Sequence, residues 1–140
     1  MHLVFVFGTL KEGFPNFHVN QGARVPGEFV TVDRFPLYLV GERCSPWLVH
    51  SAGEGHQVAG QVFQVDDAAL SLMDQLERVG EPDGYVRASI EVELRGASRG
   101  APRSVFAYLK PPAQFTLADV RHGPLAEYAL DHAALYRSRV

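Results

Sequence analysis

The sequence predicts an α+β fold in which a twisted or barrel-like sheet carries helices packed on one side. Many short segments are rich in valine and aromatic residues and are separated by glycine or proline, whereas only one or two segments have a helical pattern. Strands and helices also lack the regular alternation of a parallel βαβ fold. With 140 residues, 46% hydrophobic and 21% charged, the chain has the composition of one globular domain spanning residues 1–140.

The first predicted strand runs from His2 to Phe7, where aromatic and β-branched residues follow one another with little alternation. Such a strand is expected to be covered on both faces and to lie centrally in the sheet. It ends abruptly at a glycine. Several glycine and proline residues between Gly13 and Gly27 then predict a loop.

Short apolar runs and period-2 alternation predict the remaining strands, at Glu28–Val32, Leu37–Val40, Trp47–His50, Val58–Val65, Val86–Leu94 and Ser104–Leu109. The alternation is most regular from Val86 to Leu94, where every second residue, starting with Val86, is expected to face the core. A loop is predicted from Arg95 to Arg103, and the Ala- and Leu-rich sequence from Pro124 onward predicts a final helix.

A helix is predicted from about Asp67 to Leu76, because the carboxylate of Asp66 or Asp67 can accept hydrogen bonds from the amides of its first turn. At 100° per residue, Glu77 falls on the same face as the apolar anchors of this helix. Burial and the negative end of the helix dipole both raise the pKa of such a carboxyl group. A group that titrates near neutrality can accept a proton and return it, as general acid and base catalysis requires.

Glu77 also has a structural interpretation, in which Arg78 or Arg87 pairs with it at a frayed helix end. Asp74 is expected on the helix flank as a solvated or amide-bonding residue. Ser45 lies in no G-x-S-x-G turn and Cys44 has no evident histidine partner, so both are interpreted as structural. The six histidines show no metal-ligand spacing, and no metal site is predicted: His2, His18, His50, His56, His122 and His132.

Charge and composition exclude several classes of partner. The net charge is -3 and the arginines are scattered, so no nucleic-acid partner is predicted. The apolar runs are too short for a membrane helix, and a signal peptide is not evident, so a cytoplasmic protein with no membrane association is expected. Cys44 is the only cysteine, which excludes an internal disulfide. No repeat or interaction stripe predicts an oligomeric state.

The end of the first strand, Phe7-Gly8-Thr9-Leu10, can expose consecutive backbone amides, because glycine permits a tight turn and close approach by a ligand. Such a row of donors binds anions. The same pattern is common in ordinary turns, so a purely structural turn is the alternative.

Four segments in register resemble the γ-glutamylcyclotransferase-like family, and within it the γ-glutamylamine cyclotransferases. They are "LVFVFGTLKEGFPN" (Leu3 to Asn16), "PLYLVGERCSPWLVH" (Pro36 to His50), "VAGQVFQVD" (Val58 to Asp66) and "LMDQLE" (Leu72 to Glu77), followed by the pair Tyr85-x-Arg87. The resemblance covers roughly Leu3 to Arg87, and the C-terminal third matches weakly.

The resemblance implies a small mixed β-barrel with short flanking helices and a cavity between the first loop and one catalytic glutamate. The matching positions here are Glu77 as the catalytic residue and Phe7, Gly8, Thr9 and Leu10 as substrate-binding residues. It implies release of 5-oxoproline and an amine, such as lysine, from a small-molecule γ-glutamyl amide, with no cofactor and no metal. The alternatives are a cyclotransferase for other γ-glutamyl peptides or metabolites, and a non-catalytic module that binds a small carboxylate.

The sequence departs from the family pattern at two places. Phe7 stands where the family usually has tyrosine, which removes a phenolic hydroxyl and leaves the backbone donors. The loop from Arg78 to Gly84 is slightly longer than in the γ-glutamylamine enzymes and is expected to reshape the pocket beside Glu77. Trp47 matches the family motif and is expected either to line the pocket or to belong to the core.

Overall fold

A computed structural model describes residues 1–96 and 100–139. The strands are β1 (His2–Val6), β2 (Ala23–Arg24), β3 (Phe29–Thr31), β4 (Leu37–Val40), β5 (Ser45–Leu48), β6 (Ala59–Val65), β7 (Val86–Leu94), β8 (Arg103–Leu109) and β9 (Val120–His122). The α-helices are α1 (Asp67–Leu76) and α2 (Leu130–Ala133), and single 3₁₀ turns occur at Phe17–Val19, Pro112–Gln114 and Leu117–Asp119. Part of the loop predicted from Arg95 to Arg103, residues 97–99, lies outside the described residues.

Five strands close into a barrel in the order β1-β8-β7-β3-β6, and β6 returns to pair with β1. The barrel is mixed, because β1 runs parallel to β8 while the other pairs in the ring are antiparallel. Strand β2 adds to β6 outside the ring, and β5-β4-β9 form a separate antiparallel sheet. The predicted α+β fold with a small mixed β-barrel is therefore confirmed.

Two clusters of buried side chains lie on opposite faces of β1. Phe5 belongs to a cluster that joins the barrel strands to the second sheet, whereas Val4 and Val6 belong to a cluster that includes Leu70 and Met73 of α1. Successive side chains of a strand point to opposite faces, so β1 contributes to both clusters. It also has a hydrogen-bonded neighbour on each side. The prediction of a central first strand covered on both faces is confirmed.

Helix α1 has the predicted bounds, and its cap is the side chain of Asp66, whose Oδ1 accepts from the amide of Ala69 at 2.7 Å. The strand Val86–Leu94 also has its predicted bounds. The expectation that Val86 faces the core is wrong, since 46% of its surface is exposed. Only the middle of β7, around Ile90 and Val92, is buried on one face.

The predicted final helix is shortened to a single turn, α2. Backbone groups of the tail bond to other parts of the fold instead: the amide of Leu125 donates to the carbonyl of Leu37, and that of Ala59 donates to the carbonyl of Ala126. These long-range hydrogen bonds outweigh the helix propensity of alanine and leucine. The segment between Gly13 and Gly27, predicted as a loop, also contains β2 and one 3₁₀ turn.

The strand predicted at Trp47–His50 begins two residues earlier and ends at Leu48. Val49 forms only an isolated bridge with Lys110. Among the described residues, no helix combines the length and the apolar character needed to cross a bilayer.

Candidate active site

Glu77 lies directly after α1 and its backbone is held on both sides. Its amide donates to the carbonyl of Met73 at 3.0 Å, and its own carbonyl accepts from the amide of Tyr85 at 2.9 Å. Met73 is fully buried, so the last turn of the helix is fixed in the core. The chain then leaves the helix through Arg78, which has a φ of 56°. The direction of Glu77 is therefore set by a helix end and a reversal of the chain.

Burial raises the pKa of the Glu77 carboxyl to about 7. The positive charges of Arg139, Lys110 and Arg43 act in the opposite direction and offset part of this effect. Loss of hydration disfavours the ionised carboxylate more strongly than the three cations favour it. A carboxyl group with this pKa exchanges a proton near neutral pH.

The arginines that follow α1 are paired with other carboxylates. Arg78 binds Asp83 through Nε and Nη2, at 3.0 and 2.9 Å. Arg87 Nη1 lies 2.5 Å from Asp74 Oδ2. Neither Arg78 nor Arg87 therefore pairs with Glu77, and the structural interpretation of Glu77 that relied on such a pair is wrong.

Asp74 is half-buried and bonds to two side chains, whereas the sequence predicts a solvated or amide-bonding residue on the helix flank. Besides its ion pair with Arg87, it accepts a hydrogen bond from the hydroxyl of Tyr108 at 2.7 Å. Burial and the charge of Asp74 raise the pKa of Tyr108, so its hydroxyl stays protonated as a donor. The sequence could not predict this contact, because β8 reaches α1 only in the folded barrel.

The loop after β1 is held by its carbonyl groups. Gly8 O accepts from the amide of Lys11 at 3.1 Å, Thr9 O accepts from the amide of Asn16 at 2.8 Å, and Leu10 O accepts from the side-chain amide of Asn20 at 3.0 Å. Within the described part of the chain, no hydrogen bond uses the backbone amides of residues 8–10. A fixed loop with unused donors can bind an anion.

Glu77 and this loop line the same pocket, which has an empty volume of about 520 Å³ including its open mouth. All five predicted site residues line it: Phe7, Gly8, Thr9, Leu10 and Glu77. Tyr85, which belongs to the pair Tyr85-x-Arg87 noted in the sequence, also lines it. Further lining residues were not predicted as site residues, among them Asn16, Arg43, Tyr108, Tyr136 and Arg139. The pocket is thus lined both by the residue whose carboxyl pKa is raised and by the residues that carry the unused backbone donors.

The tail contributes to the pocket through two residues. Arg139 Nη1 donates to the carbonyl of Leu76 at 2.9 Å, and the hydroxyl of Tyr136 accepts from Asn16 Nδ2 at 3.2 Å. The amide of Arg137 donates to the carbonyl of Arg43 at 2.9 Å, which ties the tail to the loop between β4 and β5. No local pattern in the sequence signals these long-range contacts.

Other residues considered in the sequence lie in or near the pocket without forming a second reactive centre. Ser45 lines the pocket, but no histidine is found among the described lining residues, so a serine–histidine pair is not formed. Trp47 packs in the cluster with α1, and Lys110 Nζ lies 4.3 Å from its ring centre.

Within residues 1–96 and 100–139, no cluster of three or more His, Cys, Asp or Glu side chains could hold a metal.

The residues from Arg78 to Gly84 are not among those that line the pocket, and an effect of this loop on the shape of the pocket stays a prediction. Two side chains that follow β8 bind the backbone of this loop. Lys110 Nζ donates to the carbonyl of Asp83 at 2.6 Å, and Gln114 Nε2 donates to the carbonyl of Gly84 at 3.0 Å. Burial lowers the pKa of Lys110 to about 8. Glu77 and Tyr85, the residues on either side of this loop, both line the pocket.

The fold and the pocket define a class of small barrel proteins in which the loop after the first strand and an acid at a helix end line one pocket. The sequence matches the model of the family "Gamma-glutamyl cyclotransferase, AIG2-like" over residues 4–129. The chain therefore belongs to this family, which confirms the resemblance found in the sequence.

Curated relatives and a solved structure agree with this assignment. The chain is 42% identical over 96 residues to a gamma-glutamylaminecyclotransferase of Rattus norvegicus and 40% identical over 99 residues to that of Homo sapiens. These alignments cover 65% and 67% of this chain, and the chain spans only 63% of the length of each relative. The crystal structure of an AIG2-like protein from Mus musculus superposes with a TM-score of 0.83 at 30% identity, over 100% of this chain and 96% of the mouse chain.

Proposed function

We propose that the protein is a γ-glutamyl cyclotransferase, which converts a γ-glutamyl amide into 5-oxoproline and a free amine. One observation carries the proposal: Glu77 lines the same pocket as Gly8, Thr9 and Leu10, whose backbone amides have no hydrogen-bond partner in the described part of the chain. The names of the rat and human relatives support this reaction class.

The reaction is intramolecular. The α-amino nitrogen of the γ-glutamyl group attacks its own side-chain amide carbonyl, and the new carbon–nitrogen bond closes a five-membered ring. The bond from the carbonyl carbon to the leaving nitrogen then breaks. The attacking amine loses one proton as it becomes the ring N–H, and the leaving nitrogen gains that proton as its bond breaks. The proton first removed from the ammonium form is returned to the released amine, and no water is consumed. Since both reacting groups belong to one molecule, the enzyme gains most by holding a folded conformer.

Glu77 performs both proton transfers in this scheme. Its carboxylate accepts a proton from the α-ammonium group, which makes the nitrogen nucleophilic, and the resulting acid protonates the leaving amine. A pKa of about 7 suits both steps at neutral pH. The amides of Gly8, Thr9 and Leu10 bind the α-carboxylate or the oxyanion that develops on the attacked carbonyl.

Substitution of Glu77 by glutamine tests this role. Glutamine keeps the shape of the side chain and cannot carry the proton, so release of 5-oxoproline is expected to fall by at least about 100-fold. The matched control is Glu81→Gln, because Glu81 is exposed and does not line the pocket. Unchanged turnover in a folded Glu77→Gln protein would refute the assignment.

A non-catalytic module that binds a small carboxylate is the competing function. It requires the same donors but predicts ligand binding without product. Calorimetry with a γ-glutamyl amide, followed by analysis for 5-oxoproline, separates the two functions. A bound and unaltered ligand would favour the binding module.

We also propose that residues 1–140 form one domain that acts on small γ-glutamyl compounds in the cytoplasm. The family match over residues 4–129 supports the single domain. The net charge of -3 is unfavourable for polyanionic partners.

A further inference from the structure

Three tyrosines are found among the described residues that line the pocket, and their hydroxyl hydrogens are used differently. The hydroxyl of Tyr85 donates to the carbonyl of Pro46 at 2.7 Å, and that of Tyr108 donates to Asp74 Oδ1 at 2.7 Å. A phenol has a single hydrogen to donate, so both of these donors are occupied by the protein itself. The hydroxyl of the third tyrosine, Tyr136, is bonded as an acceptor.

Asn16 links the hydroxyl of Tyr136 to that of Thr9. Its side-chain nitrogen Nδ2 donates to Thr9 Oγ1 at 2.8 Å and to the hydroxyl oxygen of Tyr136 at 3.2 Å. A primary amide nitrogen carries two hydrogens, so it can serve both oxygens at once. All three residues line the pocket, and Asn16 and Thr9 are only 8% and 7% exposed. A buried amide therefore holds two hydroxyl oxygens at the wall of the pocket.

These contacts restrict where the two hydroxyl hydrogens can point. An oxygen that accepts a hydrogen bond from Asn16 must direct its own hydrogen away from that nitrogen. Among residues 1–96 and 100–139, neither the hydroxyl of Thr9 nor that of Tyr136 donates to a protein acceptor. Because both residues line the pocket, both hydrogens are available to a ligand bound there.

The same pocket is lined by the loop after β1, whose backbone amides are also unused. Several donors together suit a carboxylate, because its two oxygens accept several charge-assisted hydrogen bonds. Resting on the function proposed above, we propose that the hydroxyl of Tyr136, aligned by Asn16, donates to the α-carboxylate of the γ-glutamyl group. Tyr136 is then a substrate-binding residue and Asn16 a positioning residue. The tail thus supplies a phenolic donor, which Phe7 cannot provide.

Tyr136→Phe removes only the hydroxyl and tests the proposal directly. The Kd of 5-oxoproline, measured by calorimetry, and the KM of a γ-glutamyl amide are each expected to rise by about tenfold, because a hydrogen bond to a charged group is lost. The kcat should change by less than about twofold, since the carboxylate is bound equally in the ground state and the transition state. 5-Oxoproline carries the carboxylate and no leaving amine, so its Kd reports on the γ-glutamyl group alone.

Tyr38→Phe is the matched control. Tyr38 belongs to β4, its ring stacks on Phe115, and it does not line the pocket. This variant should keep the Kd of 5-oxoproline and the KM of the unaltered protein. An equal rise of both constants in the control would overturn the proposal.

Asn16→Leu tests the alignment of the hydroxyl. Leucine is close in size to asparagine and cannot donate, so the hydroxyl of Tyr136 loses its fixed direction. The Kd of 5-oxoproline is expected to rise, and adding Tyr136→Phe should then have little further effect, because the two residues act through one contact. Fully multiplicative effects would contradict the role of Asn16. Thermal unfolding checks that each variant is folded, and Tyr136→Phe decides the proposal if Asn16→Leu is not.

Unchanged Kd and KM in a folded Tyr136→Phe protein would overturn the proposal. A fall in kcat alone would also overturn it, because the hydroxyl would then serve the developing oxyanion. A rise in KM without a change in the Kd of 5-oxoproline would place the contact on the leaving amine and would overturn it as well. The function on which the proposal rests fails differently, since the unaltered protein would then form no 5-oxoproline from any γ-glutamyl amide.

Discussion

At the scale of single residues, the site depends on the environment of one carboxyl group. The positive charges of Arg139, Lys110 and Arg43 act to lower the pKa of Glu77, yet burial outweighs them and raises it to about 7. The neighbouring acid Asp74 has a direct arginine partner and a hydroxyl donor. Two acids three residues apart on the chain therefore have different environments: Asp74 is paired, whereas Glu77 has no ion-pair partner among residues 1–96 and 100–139. This difference supports Glu77, and not Asp74, as the group that exchanges protons with substrate.

The raised pKa of Glu77 predicts how activity depends on pH. The ionised form accepts the proton of the substrate ammonium, so the group must be deprotonated in the free enzyme. Below pH 7 most of Glu77 is protonated, and kcat/KM is expected to rise with pH through an apparent pKa of about 7. Initial rates of 5-oxoproline release between about pH 5 and 9 measure this limb. A rate that rises instead with a midpoint near 4.5, the ordinary value for glutamate, would contradict the buried state of the acid.

At the scale of elements, β1 and its loop supply the donors of the site. The strand packs in a buried cluster on each face and pairs with β6 and β8 on its two sides. The carbonyls of the loop accept hydrogen bonds from Lys11, Asn16 and Asn20. The amides of residues 8–10 are thus presented by backbone that is already ordered. Preorganised donors lose little entropy when they bind an anion, which favours both affinity and catalysis.

Gly8 is required in this loop by its packing against Pro46. A Cβ atom at Gly8 would lie 2.8 Å from Pro46 Cγ and 3.2 Å from Pro46 Cβ, and both residues line the pocket. Gly8→Val is therefore expected to displace the loop and to raise KM by about tenfold. Steady-state kinetics of 5-oxoproline release measure the effect.

Gly100→Val is the matched control, because a Cβ atom at Gly100 meets nothing within 4 Å and this residue is outside the pocket. It should keep the KM of the unaltered protein. An unaltered KM in a folded Gly8→Val protein would count against the role of the loop in binding.

At the scale of the whole molecule, features that depend on nearby residues were predicted and features that depend on distant contacts were not. Helix α1 was predicted with its bounds because its Asp66 cap and its apolar face are local. The inward position of Glu77 followed from the same periodicity. Arg139 was not predicted, because it reaches the site through a contact with Leu76, 63 residues away in sequence. The exposure of Val86 was also missed, since only the barrel determines which part of β7 is covered.

The tail lines the pocket but contributes no strand to the barrel. All five strands of the barrel lie between residues 2 and 109, whereas Tyr136 and Arg139 line the pocket from the far end of the chain.

Deletion of residues 135–140 should therefore leave the barrel folded, as judged by circular dichroism and cooperative thermal unfolding. The same deletion removes two residues that line the pocket, Tyr136 and Arg139, and the Tyr136 contact with Asn16. KM is expected to rise by about tenfold or more, because the deletion takes away polar groups that line the proposed substrate pocket. If the truncated protein kept its KM, the tail would be irrelevant to substrate binding. If it lost its cooperative unfolding, the tail would instead be part of the core that stabilises the barrel.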